Sequence, residues 1–408
     1  MNKTLITLTS AVLLAGCCSV CNGPKDSGTT YIKDAIGSYV ESGELPGTIV
    51  VLYNNGIQET TCLGYADVAK KRKITMDDHF MQCSQTKGFC GVTVAKLVEE
   101  GKLNLDDPVS KYLPEFKKDL WIGGTAAPTN DVPWKRMKAQ TPITIRMCLN
   151  HSAGFPFELP NFQQMGGWAR RMPIRSVAAT AAGGLLQFEP GQGWQYSNVG
   201  IDVAAACVEV VTGMRWEDYL QKTVLDPLGM KDSGFWPSDK WLSTMVELYE
   251  CHDKQPATWR AYDDSQQRPY GDDRVFASSG AGLWTTANDQ LKFYKMLMNL
   301  GLGDNGVRIL KEETVKNLLA RSSYLKGEHT YSLGLGAPVV DGEDKWFGHG
   351  GAWGTSCEVN WHKKQLKLTV VQLTGGPRPW DPVKWKAWDK FFQETTANDV
   401  NAFTGRVK

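Results

Sequence analysis

An α+β fold is predicted for this chain: a mixed, mainly antiparallel sheet flanked by N- and C-terminal helices, with a mostly helical lobe inserted. Three observations predict it. β-rich runs occur toward both ends of the 408 residues, helical periodicity flanks those runs, and the middle alternates helical stretches with Pro- and Gly-bearing loops.

In chain order, Thr30 to Glu41 places Ile32, Ala35, Ile36, Tyr39 and Val40 at helical spacing, and Gly43 and Pro46 follow as stop signals. Thr48 to Tyr53 is β-rich, Asn55-Gly56 is a hairpin turn, and Ile57 to Leu63 is the returning strand. Ser84 to Glu100 reads as a helix closed by Gly101. Ile143–Leu149, Val199–Thr212 and Trp216–Val224 supply the helical lobe. Asn288–Asn299 is a further helix, and strands at Thr355–Trp361 and Leu366–Leu373 flank a polar turn at His362–Gln365. Asp381 to Glu394 closes the chain with Trp385, Trp388, Phe391 and Phe392 on a helical face. The expected organisation is a sheet lobe from 30–105 and 274–395, a helical lobe from 106–273 and a tail from 396–408. A ligand cleft is expected between the lobes.

The first residues have a different character. Lys3 precedes an apolar run, Leu5 to Ala15, ending in Leu14-Ala15-Gly16-Cys17. A positive start, about a dozen apolar residues and small residues at the end describe a secretory leader over 1–16, too short to span a bilayer. Leu-Ala-Gly-Cys also resembles a bacterial lipobox, with Cys17 as the lipid-bearing residue and 17–29 as a polar tether. The expectation is an exported protein of the bacterial envelope, held to the membrane by a lipid anchor only. An ordinary cleaved leader or a buried helix are the competing readings.

With 45 basic and 44 acidic residues and no long basic run, nucleic acid is not an expected partner. Ten cysteines leave nine apart from Cys17, an odd number, and none shows zinc-finger spacing, so no structural metal or cofactor is expected. Cys83 and Cys90 lie seven apart on a predicted helix, roughly 10 Å, too far for a disulfide. Most cysteines read as small core hydrophobes.

Three short sequences carry chemistry: Ser84-Gln85-Thr86-Lys87, Tyr196-Ser197-Asn198 and His349-Gly350-Gly351. Three residues is nearly one helical turn, so the Lys87 ammonium shares a side with the Ser84 hydroxyl. Lysine can take the serine proton only if burial or a neighbouring cation lowers its pKa. Ser84 as a mere helix N-cap is the bland alternative. Tyr196 offers a phenol to relay the proton, and Asn198 could hold Lys87 and a substrate amide. Paired glycines after His349 let backbone approach a ligand, where edge-strand N–H groups can hold an oxyanion. Ser323–Lys326 and Tyr53-Asn54-Asn55 repeat two of the patterns in unsuitable settings: a polar stretch that would not desolvate a lysine, and a hairpin strand.

Together and in this order, the boxes resemble S-x-x-K, Y-x-N and an H-x-G variant of K-T-G in the serine β-lactamase and penicillin-binding-protein superfamily, closest to its class C β-lactamase-like branch. Gly101 to Val109 with Tyr112-Leu113-Pro114, Asn150 to Gly154, Pro227 to Met230 and Ser279 to Leu283 agree with it, so the resemblance covers about residues 30–395. It implies a β-lactamase/transpeptidase-like fold and Ser84 as acyl-accepting nucleophile, with Lys87 and Tyr196 as base and later acid. It also implies Asn198 as a substrate-orienting group and an oxyanion hole from the backbone N–H groups of Ser84 and Ala352. His349, Gly350, Gly351 and Trp353 would lie at the substrate. His349 departs from the lysine of true class C β-lactamases, and Asn150 to Gly154 is taken as wall.

The expected function is an exported serine hydrolase working through an acyl-enzyme on a small-molecule ester, amide or peptide, carboxylesterase-like. A D-alanyl peptidase, penicillin-binding protein or β-lactamase is the alternative, and a non-catalytic binding protein on the same fold is the alternative of another class. Trp194 and Trp353 flank the boxes as candidate walls of an apolar acyl pocket, with core packing as the competing role.

Overall fold

The computed structural model describes residues 31–123, 136–159, 172–251, 259–261, 276–320, 331–337, 346–374, 378 and 380–404. The leader, the tether with Cys17, and the Ser323–Lys326 repeat lie outside the described residues.

A six-stranded sheet is the centre of the fold, and it is antiparallel at every pairing. Its order runs Phe347–Gly351, Thr355–Asn360, Gln365–Val370, Gly47–Asn54, Ile57–Asp67, Arg72–Lys73, so strands from the two ends of the chain meet in the middle. Parallel strand pairs occur in two small sheets, Leu373–Thr374 on Tyr249–Cys251 and Trp121–Ile122 on Leu185–Leu186. The first hairpin closes as its sequence requires: Asn54 pairs with Ile57, and Asn55 and Gly56 between them have φ of 46° and 100°. Two consecutive positive φ values match the right-handed twist of the flanking strands, and Asn-Gly tolerates them at little cost.

The strand Gly47–Asn54 is buried along most of its length because both of its faces are covered. Ile49 and Val51 enter the large core, while Val50 and Leu52 point the other way into a second one. The terminal helices Tyr31–Glu41 and Trp380–Thr404 pack on each other and supply that second core with Ile32, Ile36, Trp380, Trp388 and Phe391. On the opposite face lies the helix Thr86–Glu99, buried on nearly all sides, whose Phe89 stacks on Phe293 of the helix Ala287–Met298 at 3.6 Å between ring centres. Hydrophobic residues around the whole circumference are the signature of such a central helix. The candidate nucleophile Ser84 stands in the short turn that leads into this helix, and Lys87 lies in its buried first turn.

Among the described residues all seven cysteines are free, and five of them are buried, as expected of small core hydrophobes. No helix among those residues is long and apolar enough to cross a membrane.

Candidate active site

Ser84 is presented by a sharp turn. The chain leaves the short strand His79–Met81, passes Cys83 at φ 51°, and makes a single 3-10 turn, Cys83–Gln85, before the helix begins at Thr86. A left-handed residue other than glycine, asparagine or aspartate is uncommon, and such backbone strain clusters at functional sites. The helix therefore starts later than its periodicity suggested. Its capping residue is Gln85, without a side-chain cap bond, so Ser84 is not an N-cap. The serine hydroxyl is engaged instead by Lys87 and Tyr196.

Lys87 is 0% exposed. Its Nζ lies 3.1 Å from Ser84 Oγ, 2.6 Å from Asn198 Oδ1 and 2.7 Å from the Gly280 carbonyl oxygen. Burial depresses its pKa to about 7, against the opposing pull of the Asp202 and Glu158 carboxylates. The two oxygens at Asn198 and Gly280 can only accept, so each requires an N–H from Lys87. In the neutral amine this leaves one position on nitrogen, the lone pair, and it faces Ser84 Oγ.

Asn198 is the first residue of the helix Asn198–Thr212, capped by Ser197 through a bond from the Gly200 N–H at 3.0 Å. Its amide orientation is fixed at both ends, since Nδ2 donates to Glu158 Oε1 at 2.5 Å while Oδ1 accepts from Lys87. Glu158 had no signal in the sequence; it stands in an irregular loop, and burial raises its pKa. Asp202, one turn beyond Asn198, accepts from Ser279 N and Oγ at 2.8 Å each, and burial lifts its pKa to about 7. A charge set in the apolar run Ile201 to Ala206 was a legible signal for it.

Tyr196 occupies the loop just before that helix, with Lys87 Nζ 4.6 Å from its ring centre. Burial pushes its phenol up to about 12, opposed by the hydrogen bond with Ser84. The His151 ring packs on it at 4.6 Å, and the exposed Phe157 stacks on it at 6.0 Å with 19° between planes. His151 also accepts the Ser197 N–H at Nδ1, which makes the Asn150–Gly154 stretch a wall that seats Tyr196.

His349, Gly350 and Gly351 end the strand Phe347–Gly351, which stands last in the order of the six-stranded sheet beside Thr355–Asn360 and is bridged on its other side by Gly336 at Gly348. Gly351 sits hard against the nucleophile turn: a Cβ there would come within 2.4 Å of the Gln82 carbonyl oxygen and 2.2 Å of Thr355 Oγ1. The strand end is thereby seated on the residues just before Ser84. Ala352 follows in the turn, not on the strand, and its N–H, like that of Trp353, lies within hydrogen-bonding reach of the Cys83 thiol. Burial, together with the nearby Lys87 charge, holds the protonation of His349 down to about 3.

Of the two tryptophans, Trp194 remains half-buried beside the His151 and Tyr196 rings at 5.8 and 6.3 Å. The Trp353 indole is buried with Met81, Cys83, Met245, Leu248 and Trp284, so packing is its role in this structure and it offers little surface to a ligand. Tyr331, which the sequence reading passed over, reaches the same cluster and donates from its hydroxyl to His349 Nε2 at 2.8 Å. Its setting, Tyr331-Ser332-Leu333-Gly334-Leu335-Gly336, is glycine-spaced, and that was its only sequence signal. The structure thus brings Ser84, Lys87, Tyr196, Asn198 and His349 together from three separate stretches of chain. No group of three or more His, Cys, Asp and Glu side chains suited to a metal occurs among the described residues.

The family described as Beta-lactamase matches residues 32–388. The chain belongs to the beta-lactamase family. Protein Rv1367c of Mycobacterium tuberculosis (strain ATCC 25618 / H37Rv) is 28% identical over 322 residues, 78% of this chain and 76% of its own length. Among solved structures, EstCE1, described as a hydrolase with promiscuous acyltransferase activity, superposes with a TM-score of 0.68 at 21% identity, over 89% of this chain and 97% of its own. Simvastatin synthase (LovD) from Aspergillus terreus, as its LovD6 mutant, gives 0.71 at 21% identity, over 89% and 94%. At such identities the likeness shows the fold. The resemblance to the beta-lactamase family and the α+β architecture are both borne out.

Proposed function

We propose that this protein is an exported serine hydrolase that forms an acyl-enzyme at Ser84 from a carboxylic ester or small amide. One observation carries the reading: the Lys87 nitrogen has two positions taken by fixed acceptors and its third on Ser84 Oγ. Neutral Lys87 takes the Ser84 proton as Oγ bonds to the substrate carbonyl carbon. The N–H groups of Ser84 and Ala352 receive the carbonyl oxygen as it becomes an oxyanion, each worth about 3–4 kcal/mol when preorganised. Tyr196, a protonated phenol up to about 12, donates to the leaving group as the old C–O or C–N bond breaks and recovers its proton from Lys87. Water then attacks the acyl-enzyme by the same route, releasing the acid and restoring Ser84. Asn198 serves to hold Lys87, since both ends of its amide are engaged.

The exposed ring of Phe157 beside Tyr196 and the half-buried Trp194 favour an apolar acyl group. The neutral His349 offers no fixed cation for a carboxylate-bearing β-lactam or D-alanyl peptide, which favours the esterase over that branch. Exposure to a fluorophosphonate and to a fluorescent penicillin, followed by peptide mapping, tests this. The phosphonate is expected to mark Ser84 and the penicillin to leave it unmarked. Labelling of Ser84 by both would move the protein to the β-lactam-recognising branch, and labelling by neither would defeat the acyl-enzyme reading.

Export rests on the leader over 1–16 and the Leu14-Ala15-Gly16-Cys17 end. The mature protein is expected to begin at Cys17 with a mass increment of acyl chains. An intact mass that retains residues 1–16 would overturn both the leader and the anchor.

A further inference from the structure

We infer that Tyr331 is a positioning residue of this site: its hydroxyl occupies His349 Nε2 and so keeps the Tyr196 phenol directed at Ser84. This inference rests on the acyl-enzyme reading above. His349 Nδ1 faces the carbonyl oxygen of Gly350, which can only accept, so that nitrogen carries the ring proton. A neutral imidazole protonated there leaves Nε2 as a lone pair, the single acceptor on the ring. Two phenols are aimed at it. Tyr331 Oη lies at 2.8 Å, a full hydrogen bond, and Tyr196 Oη at 3.5 Å, at the limit of one.

One lone pair holds one strong hydrogen bond, and Tyr331 has it. The ring of Tyr331 is held for this by packing on His151 at 4.5 Å and by an edge contact with Tyr196 at 6.3 Å and 86°. The backbone that carries it is seated firmly, because Leu333 lies directly against Gly91 of the nucleophile helix, where a Cβ would come within 1.9 Å of the Leu333 carbonyl oxygen. Without the Tyr331 hydroxyl, the free acceptor on His349 would draw the Tyr196 proton away from the serine. His349 would then compete with catalysis, and Tyr331 prevents this while staying off the reacting atoms.

Tyr331→Phe keeps the ring and its packing and removes only the hydroxyl. Its kcat on a p-nitrophenyl ester is expected to fall roughly tenfold with KM little changed, a part of the 10²–10⁴ that positioned proton transfer supplies. The decisive measurement is a cycle with His349→Leu, which removes the competing acceptor. In that background, Tyr331→Phe should have no further effect on kcat. An equal loss in both backgrounds would mean that Tyr331 acts through packing alone, and an unchanged kcat in Tyr331→Phe would mean that it does not act on the reaction. Either result overturns the inference. If His349→Leu does not fold, the ¹⁵N signal of His349 Nε2 in Tyr331→Phe decides instead. It should remain that of a hydrogen-bonded acceptor, now of Tyr196, and an unbonded nitrogen would overturn the inference. Failure of the underlying reading looks different: Ser84 would then go unlabelled by the phosphonate in the unaltered protein.

Discussion

Replacement of Ser84 by alanine is expected to lower kcat on p-nitrophenyl esters by at least about 10⁴-fold, the scale on which hydrolases lose activity with their nucleophile, and to abolish phosphonate labelling. Ser84→Ala removes one oxygen from a partly buried position, and the hydroxyl does not cap the helix, so the melting temperature should stay close to that of the unaltered protein. Ser323→Ala is the control. It alters the other S-x-x-K sequence and should leave both readouts intact. Turnover that survives Ser84→Ala and disappears with Ser323→Ala would place the chemistry at the wrong serine. The sequence ranked these two by the polarity around Lys326, and the fold supplies the physical ground at Ser84. Lys87 is fully enclosed and has three oxygen partners.

The second large effect is on pH. If neutral Lys87 is the base, kcat/KM should rise with pH through about 7 and then level, because the ammonium below that value has no lone pair to offer. His349 is already neutral above about 3 and Tyr196 holds its proton to about 12, so neither adds a limb between pH 5 and 9. Asp202 also titrates near 7 and must be separated from Lys87. Its carboxylate raises the lysine pKa, so Asp202→Asn should move the limb to lower pH while keeping it. Loss of the limb in an active Asp202→Asn variant would assign the ionisation to the carboxylate and leave Lys87 without its role. Lys87→Met should cost activity on the scale of Ser84→Ala, since groups that act as a unit lose their effect together.

Much of this site was legible in the chain because its chemistry depends on local spacing. Ser84 and Lys87 share one helical turn, His349 is followed by paired glycines, and a hairpin turn such as Asn55-Gly56 declares its own backbone. The helix start was misplaced by two residues because the left-handed Cys83 and the 3-10 turn, which pack against Gly351 from far along the chain, leave no signal in the local periodicity. Glu158 and Tyr331 were missed for a related reason. Each acts through one hydrogen bond to a residue far off in the chain, Asn198 in one case and His349 in the other. No spacing rule reports a partner brought near only by folding.

The sequence by itself therefore determined the α+β class, the beta-lactamase family and the residue types available for acyl transfer. Alternating burial, turn chemistry and motif order are properties of short stretches, and they survive without coordinates. Only the tertiary structure decided which groups are charged and which way each hydrogen bond runs. Lys87 falls to about 7 because the fold removes water from around it, and its lone pair faces Ser84 because Asn198 and Gly280, carried there by other elements, can do nothing but accept.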